Sequence, residues 1–307
     1  MTSLAIEPTA PTRSAPRRFT RNLAAVVGGV VVALAVLAAL IGPSLYAGLL
    51  PSAEQKFRDG IYQDYAAINS GPSARHWLGA DYLGRDNLTR LCLAVRASLA
   101  VALLVETLNV VLGGVLGLVA GYFGGAADFV ISRLADMLFA FPGLLLAILV
   151  SAVFGEQARD LAGGLGRLLL VAGALSLVSW PLMARLVRGQ VLALREREFV
   201  IAARGLGASA VGILWRHLLP NVAWLIIVAA TLDVAGVIVN EATLSLLGLG
   251  IEEPGASLGL MIFRSAGTIA RFPWQSFLPG AVITTLVLSF SFIGDGLRDA
   301  FDPTSAE

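Results

Sequence analysis

Asn22-Leu-Ala-Ala-Val-Val-Gly-Gly-Val-Val-Val-Ala-Leu-Ala-Val-Leu-Ala-Ala-Leu-Ile41 contains no charged side chain and consists almost entirely of small and aliphatic residues. A helix needs about 20 predominantly apolar residues to cross the hydrocarbon core of a bilayer. A cleaved signal peptide is the alternative, but its apolar core is usually only about 7–15 residues long. We therefore predict an uncleaved transmembrane helix over residues 22–41, ended by Gly42-Pro43.

Five further apolar runs follow this stretch. They are Ala97–Phe123, Met137–Gly155, Leu168–Leu186, Val222–Gly250 and Phe277–Gly294. The chain of 307 residues is 57% hydrophobic and 14% charged, whereas soluble domains carry about 25% charged residues. The sequence thus predicts an all-α integral membrane protein with six transmembrane helices, and it argues against a single water-soluble domain.

The residue counts exclude several functional classes. Lys56 is the only lysine, and its neighbours do not form the GxxxxGK[ST] loop that binds phosphate in P-loop ATPases. The net charge of +1 gives no basic excess for nucleic acid. His76 and His217 lie outside the apolar runs and Cys92 is the only cysteine, which disfavours an intramembrane serine protease and a Cys/His metal site. We expect no catalytic residue, cofactor or metal in this chain.

Arginines in short loops predict the orientation of the spans, because cytoplasmic loops carry an excess of basic residues. Two clusters stand out, one in residues 1–21 and one after the fourth apolar run: Arg13, Arg17, Arg18 and Arg21, then Arg185, Arg188, Arg195, Arg197, Arg204 and Arg216. We therefore predict a disordered cytoplasmic tail over 1–21. Residues 42–96 form an extracytoplasmic segment with a short helix near Asn87–Val95, residues 97–294 form the membrane core, and residues 295–307 form a cytoplasmic carboxyl-terminal tail.

The inner segment Gly189–Asn221 is predicted to contain two helices joined by a glycine hinge. Gln190–Arg204 is rich in helix formers, the stretch from Gly205 to Ser209 is a flexible break, and Ser209 is a good amino-terminal cap. A short helix over Ala210–Leu219 is expected to stop at Pro220. This spacing fits a corner against which another protein packs, and it fits an amphipathic connector on the membrane surface equally well.

Three acidic residues fall inside apolar runs: Glu106, Asp233 and Glu241. Acids within a membrane usually face a bundle interior or a watery cavity. They are predicted to line a substrate pathway, and the alternative is structural pairing or helix capping. Glu241 lies near the outer end of its run, where a structural role or a gate is favoured.

Two other patterns have both a functional and a structural interpretation. Gly113, Gly114, Gly117 and Gly121 repeat at helical spacing, which favours close helix packing over lining of a pore. Arg85 and Asp86 in the outer segment are candidates for docking an extracytoplasmic protein. A local ion pair that holds the loop against the second span explains them equally well.

Residues 199–209 (Phe-Val-Ile-Ala-Ala-Arg-Gly-Leu-Gly-Ala-Ser), followed by Arg216-His-Leu-Leu-Pro-Asn221, resemble the EAA loop of ABC importer permeases. The pattern of that loop is Glu-Ala-Ala, three residues, Gly, and a Leu-Pro about a dozen residues later. The matching residues here are Ala202, Ala203, Gly207, Leu219 and Pro220. Ile201 occupies the position of the usual glutamate, so no polar contact is expected from that side chain.

Other motifs point to the dipeptide, oligopeptide and nickel branch of these permeases, and within it to the second of two paired permease subunits. They are His76–Asp86, Gly121–Gly125, Phe141-Pro142, Trp180-Pro181, Glu241–Gly250 and Gly294–Pro303. Leu258 stands where this branch often has tryptophan. The resemblance covers the chain from about His76 to Pro303.

The resemblance implies an ABC importer permease fold in the cytoplasmic membrane of a prokaryote. Its implied partners are a homologous second permease, two ATP-binding subunits that carry ATP and Mg, an extracytoplasmic solute-binding protein and membrane lipid. It implies a loop that couples transport to the ATPase subunits, formed by Ala202, Ala203, Gly205, Gly207, Ala208, Ser209, Leu219 and Pro220. The substrate implied is a short peptide.

Three alternatives stay open on the sequence. In the first alternative, the cargo is nickel or another small solute rather than a peptide. In the second, the chain is a stand-alone secondary transporter or channel, although it lacks the internal repeat from which many such transporters are built. In the third, the chain is a membrane scaffold or signalling component with no substrate path.

Overall fold

A computed structural model describes residues 15–301, and side chains from Arg18 onward. Predictions for residues 1–14 and 302–307 lie outside the described part. The helices are α1 Ala15–Arg21, α2 Leu23–Gly48, α3 Asn87–Leu108, α4 Gly114–Phe123, α5 Gly125–Phe139, α6 Gly143–Leu194, α7 Glu198–Gly205, α8 Ala210–Ile213, α9 Leu219–Leu246, α10 Leu258–Ser265 and α11 Trp274–Phe301. Single π turns, Asn109–Gly113 and Leu214–Leu218, join α3 to α4 and α8 to α9.

Five continuous helical stretches between residues 15 and 301 are long and apolar enough to cross a membrane. The longest, α6, contains two non-helical residues, Ala162 and Gly163 (φ 56°). The chain reverses direction at these two residues. The evidence is that a Cβ added at Gly143 in the first leg would lie 3.5 Å from Val178 Cβ in the second leg. The two legs of α6 are antiparallel and each is long enough to span, at about 1.5 Å per residue. The described chain therefore has six helical legs long enough to cross a bilayer, which is the predicted number of spans.

Several predicted helix limits are wrong. The first span does not end at Gly42-Pro43, since α2 continues through Pro43 to Gly48; proline is tolerated in transmembrane helices. The expected short helix Asn87–Val95 is the outer end of the second span. The third predicted span is interrupted, because Met137 belongs to α5 and the next helix begins after Pro142.

The predicted disorder of the amino-terminal tail is wrong for its last residues. Ala15–Arg21 is helical, and the ring of Phe19 lies beside Gly296 near the inner end of α11. Likewise α11 continues to Phe301, so residues 295–301 extend the sixth span rather than form a separate tail. The contact between Phe19 and Gly296 packs the amino-terminal helix against α11.

The core has two main layers along the long axis of the helix bundle. The larger, outer and central cluster combines side chains of α3, α6, α9 and α11, for example Val105, Val171, Ile238 and Leu286. The inner cluster joins α4, the second leg of α6, α7, α8 and α9, with Val187 at its centre. The inner segment is thus built into the core of the bundle.

Glycines bring α4 and its π turn into backbone contact with the second leg of α6. A Cβ at Gly117 would lie 2.6 Å from the Ala184 carbonyl oxygen, and one at Gly121 would lie 2.7 Å from Val191 Cβ. A Cβ at Gly113 would likewise lie 2.7 Å from the Trp180 carbonyl oxygen. The glycine repeat therefore packs helices, as predicted, because only a residue without a side chain permits this approach.

We predict that Gly117→Ala lowers the free energy of unfolding by about 1–3 kcal/mol, because the added methyl overlaps backbone that cannot move alone. The matched control is Gly29→Ala in α2, where an added Cβ meets nothing within 4 Å. The thermal unfolding midpoints of the two variants in detergent micelles test this. Equal midpoints would contradict the packing role of Gly117.

Candidate functional site

The inner segment forms a tight corner at the tip of the bundle. Helix α7 ends at Gly205, and Gly207 adopts φ +82°. The Gly207 amide donates to the Arg204 carbonyl at 3.1 Å, and the Ala208 amide donates to the Ala203 carbonyl at 3.0 Å. This pair of bonds is a Schellman cap, whose left-handed position favours glycine. The Ala203-to-Gly207 spacing is therefore what closes the corner.

The next helix begins at Ser209, as predicted. Its hydroxyl accepts a hydrogen bond from the Gly212 amide at 3.1 Å, which satisfies one free donor of the first turn. The prediction that Pro220 stops this helix is wrong. Proline lies in the first turn of α9, where a missing N–H breaks no helical bond, and the π turn Leu214–Leu218 connects the two pieces.

The corner is anchored on one side and exposed on the other. Val200, Ala203 and Ile213 are buried against the inner ends of the spans. The exposed side carries apolar residues that sequence reasoning did not single out as site residues: Leu206 is 89% exposed, and Val211 and Trp215 also face outward. A large apolar side chain between two glycines, as in Gly205-Leu206-Gly207, was the signal that could have found the exposed tip.

The structure separates the predicted coupling residues into three groups. The exposed tip holds Ala202, Gly205, Gly207, Ala208 and Ser209. Ala203 lies beneath the tip, with 9% of its surface exposed. Leu219 and Pro220 lie in the first turn of α9, so they connect the corner to the fifth span.

Two of the three intramembrane acids meet in the bundle. The Asn109 side-chain amide lies 3.4 Å from Glu106 Oε1 and 3.3 Å from Asp233 Oδ2. The Ser179 hydroxyl donates to Asn109 Oδ1 at 3.2 Å. Sequence reasoning missed Asn109 and Ser179, which lie in apolar runs. The cluster of these four residues joins the second, fourth and fifth spans, and Asn109 begins a π turn, a feature frequent at functional sites.

Glu106 has an unsatisfied atom in this cluster. Its side chain is 6% exposed and Oε2 has no hydrogen-bond partner within the described chain. A buried polar atom without a partner is costly and points to a bound group or a function. The cluster can therefore accept a hydrogen-bond donor or a cation.

Glu241 lies apart from this pair. It is fully buried, and its carboxylate accepts hydrogen bonds from the Ser98 hydroxyl at 2.7 Å and the Ser245 hydroxyl at 2.8 Å. Eight residues of helix, about 12 Å, separate it from Asp233. Its contacts tie α3 to the outer end of α9, which is the structural alternative considered for this residue.

Arg85 and Asp86 lie inside a compact outer cap, which consists of residues 49–86 and the loop 247–257. Asp86 is fully buried. It accepts from the Thr89 amide at 2.8 Å, which caps α3, and from the Tyr46 hydroxyl at 3.1 Å. These contacts join the first two spans. Docking through Asp86 stays an untested prediction.

Arg85 holds the two parts of the outer cap together. It is 3% exposed, donates from Nε to Asp81 Oδ2 at 2.8 Å, and donates from Nη2 to Glu253 Oε1 at 3.1 Å. Burial raises the pKa of Glu253, but the hydrogen bond from Arg85 and the charges of Arg90 and Arg85 outweigh it and hold that pKa below its usual value. Arg85 therefore pairs within the outer cap, with Asp81 and Glu253, and not with Asp86 or the second span as the alternative to docking supposed.

We predict that the outer cap loosens at low pH. The folded pKa of Glu253 is depressed, so its ion pair contributes stability above the ordinary glutamate pKa of about 4.3, and this stability is lost as the pH falls through the folded pKa. At pH 7 Glu253→Gln should speed amide hydrogen exchange in the cap about tenfold, and the ratio to wild type should approach one in acid.

Comparing the two proteins at each pH cancels the intrinsic pH dependence of exchange. The matched control is Glu54→Gln, because Glu54 is half-exposed and pairs with Arg75 only at 3.9 Å. A ratio that does not change with pH would contradict the role assigned to the Glu253 carboxylate.

No group of three or more His, Cys, Asp or Glu side chains that could hold a metal occurs within residues 15–301.

Comparisons with known proteins agree with this geometry. Residues 113–306 match the family described as binding-protein-dependent transport system inner membrane component, and residues 10–72 match the N-terminal transmembrane domain of oligopeptide transport permease C. The chain is 38% identical over 293 residues to the glutathione transport system permease protein GsiD of Pectobacterium atrosepticum, which covers 95% of this chain and 91% of that protein.

Two further relatives are similarly close. The dipeptide transport system permease protein DppC of Alkalihalophilus pseudofirmus is 38% identical over 95% of this chain and 90% of its own length. The oligopeptide transport system permease protein OppC of Bacillus subtilis is 35% identical over 95% of this chain and 89% of its own length. With six crossings, an inner corner built into the core and matches of this extent, the chain belongs to the family of binding-protein-dependent transport system inner membrane components.

Proposed function

We propose that this chain is one of two membrane subunits of an ATP-driven importer of short peptides. The carrying observation is the inner corner, which is exposed and apolar at Leu206 yet anchored in the core through Val200 and Ile213. The names of the relatives support a peptide as cargo, since they are glutathione, dipeptide and oligopeptide permeases. The second permease, the two ATP-binding subunits and the solute-binding protein belong to this proposal.

The corner transmits force because its two sides differ. An ATP-binding subunit docks on the exposed apolar tip, and ATP and Mg reside on that subunit. Its closure pushes on α7 and α8, and the buried residues beneath them pass the displacement to the fourth and fifth spans. Coupling of this kind needs an element with two arrangements that both sites bias. Pro220 and the π turn before it are the flexible joint of that element.

The Glu106–Asp233 pair is proposed to lie on the substrate route. Two carboxylates with an unsatisfied oxygen between apolar spans attract the ammonium end of a peptide. The orientation proposed has both termini in the cytoplasm. The corner then faces the ATPase subunits, and the outer cap faces the solute-binding protein.

We predict that Leu206→Ser reduces peptide uptake and peptide-stimulated ATP hydrolysis at least about tenfold, because it removes the apolar tip without touching the core. The measurement uses the complex of all subunits reconstituted in liposomes. The matched control is Leu161→Ser, which is 86% exposed at the opposite end of the bundle.

Equal activity of the two serine variants would contradict coupling through the tip. Uptake by this chain without ATPase subunits, driven by an ion gradient, would indicate a stand-alone transporter. Transport of nickel or another small solute, and not of peptides, would replace the proposed cargo.

We predict that Asp233→Asn and Glu106→Gln each reduce uptake about tenfold while the subunits still co-purify, because the amide keeps the shape and removes the charge. Thr231→Ala is the matched control, since Thr231 is partly exposed on α9 and its hydroxyl donates within its own helix, to the Ile227 carbonyl at 2.7 Å. Normal uptake by both acid variants would remove the pair from the route.

A further inference from the structure

A polar cavity lies at the outer end of the bundle, where no residue was predicted to act. Its volume is about 200 Å³, and it is bounded by both legs of α6 and by the loop after α9, through Ser151, Gly155, Arg159, Arg167 and Glu252 among others. Ser179 of the Glu106 cluster is twelve residues further along the same leg than Arg167. The cavity is therefore about 18 Å nearer the outside.

Arg167 is fixed in the wall of this cavity. It is 5% exposed, and its Nη2 donates to Glu252 Oε1 at 2.6 Å. Nη1 reaches the Ser151 carbonyl only at 3.5 Å. A Cβ at Gly155 would collide with the guanidinium, so the absence of a side chain there is what admits Arg167 between the legs.

The donors of this site are not all used. Arg167 Nε and the fully buried Ser151 Oγ have no hydrogen-bond partner within the described chain. Arg159 adds a second guanidinium, which reaches Glu252 Oε2 only at 3.8 Å. Unsatisfied buried donors beside a cavity require an acceptor, and a carboxylate is the acceptor that guanidinium groups bind best.

Glu252 already supplies such an acceptor from within the chain. Its side chain is 38% exposed and lies in a loop, whereas Arg167 is buried in a helix. The acid is therefore the partner free to leave. An incoming carboxylate competes with Glu252 for the same guanidinium.

We propose that this cavity binds the terminal carboxylate of the peptide, with Arg167 as anchor and Glu252 as the internal competitor that the peptide displaces. The inference rests on the proposed function, because it takes the transported peptide as the source of the carboxylate. The site is thus a selectivity point for the free acid end at the outer mouth.

The test measures binding to the full chain, purified in lipid nanodiscs with its co-purifying subunits. The probes are N-acetyl-dialanine, which has one free carboxylate, and its carboxamide, which has none. Dissociation constants come from ligand-observed NMR. Wild type should bind the acid at least about tenfold more tightly than the amide.

The variants have opposite expected effects. Arg167→Gln should abolish the preference for the acid, and Gly155→Ala, which displaces the guanidinium, should reduce it. Glu252→Gln should tighten binding of the acid about threefold or more without changing binding of the amide, because it weakens the competitor. The matched control is Arg271→Gln, an exposed arginine on the same side, which should leave both constants unchanged.

Equal binding of acid and amide by wild type would overturn the inference. So would a loss of acid binding in Glu252→Gln, since a purely structural ion pair predicts that both partners weaken the site together. Should Arg167→Gln fail to assemble, the sign of the Glu252→Gln effect still decides. A defect of Arg167→Gln confined to docking of the solute-binding protein would likewise overturn it.

Uptake by the wild-type complex separates this inference from the proposed function. Peptide uptake without any acid preference in binding refutes the carboxylate site alone. Absence of peptide uptake refutes the proposed function, whatever the binding constants are.

Discussion

Within the hydrocarbon core of a membrane, no water satisfies a backbone N–H or C=O group, so each crossing segment must satisfy its own as a helix. All the crossings of the described chain are helical, and the regular α-helical pattern is interrupted at a few points. The π turn at Asn109–Gly113 lies beside the acidic pair. The π turn at Leu214–Leu218 leads from the corner into the fifth span. The reversal at Ala162–Gly163 lies between Arg159 and Arg167, which both line the outer cavity. Irregular backbone thus coincides with the places where function is proposed.

Burial of charge is the second constraint, and it divides the molecule by depth. At the outer surface Arg85 and Glu253 form an ion pair within the outer cap. In the bundle, Glu106 and Asp233 have only Asn109 between them. At the inner surface Arg188 donates from Nη2 to Asp128 Oδ2 at 2.7 Å, and Arg185 donates from Nη2 to Asp136 Oδ1 at 2.5 Å. Opposite charges pair at the two surfaces, whereas the middle of the bundle brings two acidic side chains together.

The inner corner depends on local hydrogen bonds for its shape and on tertiary packing for its connection to the spans. The Schellman cap at Gly207 and the hydroxyl cap at Ser209 need only neighbouring residues. The proposed transmission to the spans depends on Val200 and Ile213, which lie in one cluster with Val187 of the fourth span and Val222 of the fifth. A displacement at the tip therefore meets packed side chains on its way inward, and a close-packed interior transmits strain.

Much of the architecture was predictable from sequence, because a twenty-residue apolar run has few alternatives and the glycine corner is a local motif. The limits of helices were not: whether Pro43 and Pro220 end a helix depends on which groups surround them. The three intramembrane acids were equivalent in one dimension, and only packing joined Glu106 to Asp233 through Asn109 while pairing Glu241 with serines. Arg167 drew no attention because its partners, Ser151 and Glu252, are distant in the chain. The sequence by itself determined the crossings, the corner and the lack of a P-loop, since each follows from local composition. Only the tertiary structure decided which charges meet, because burial and pairing are properties of the assembled bundle.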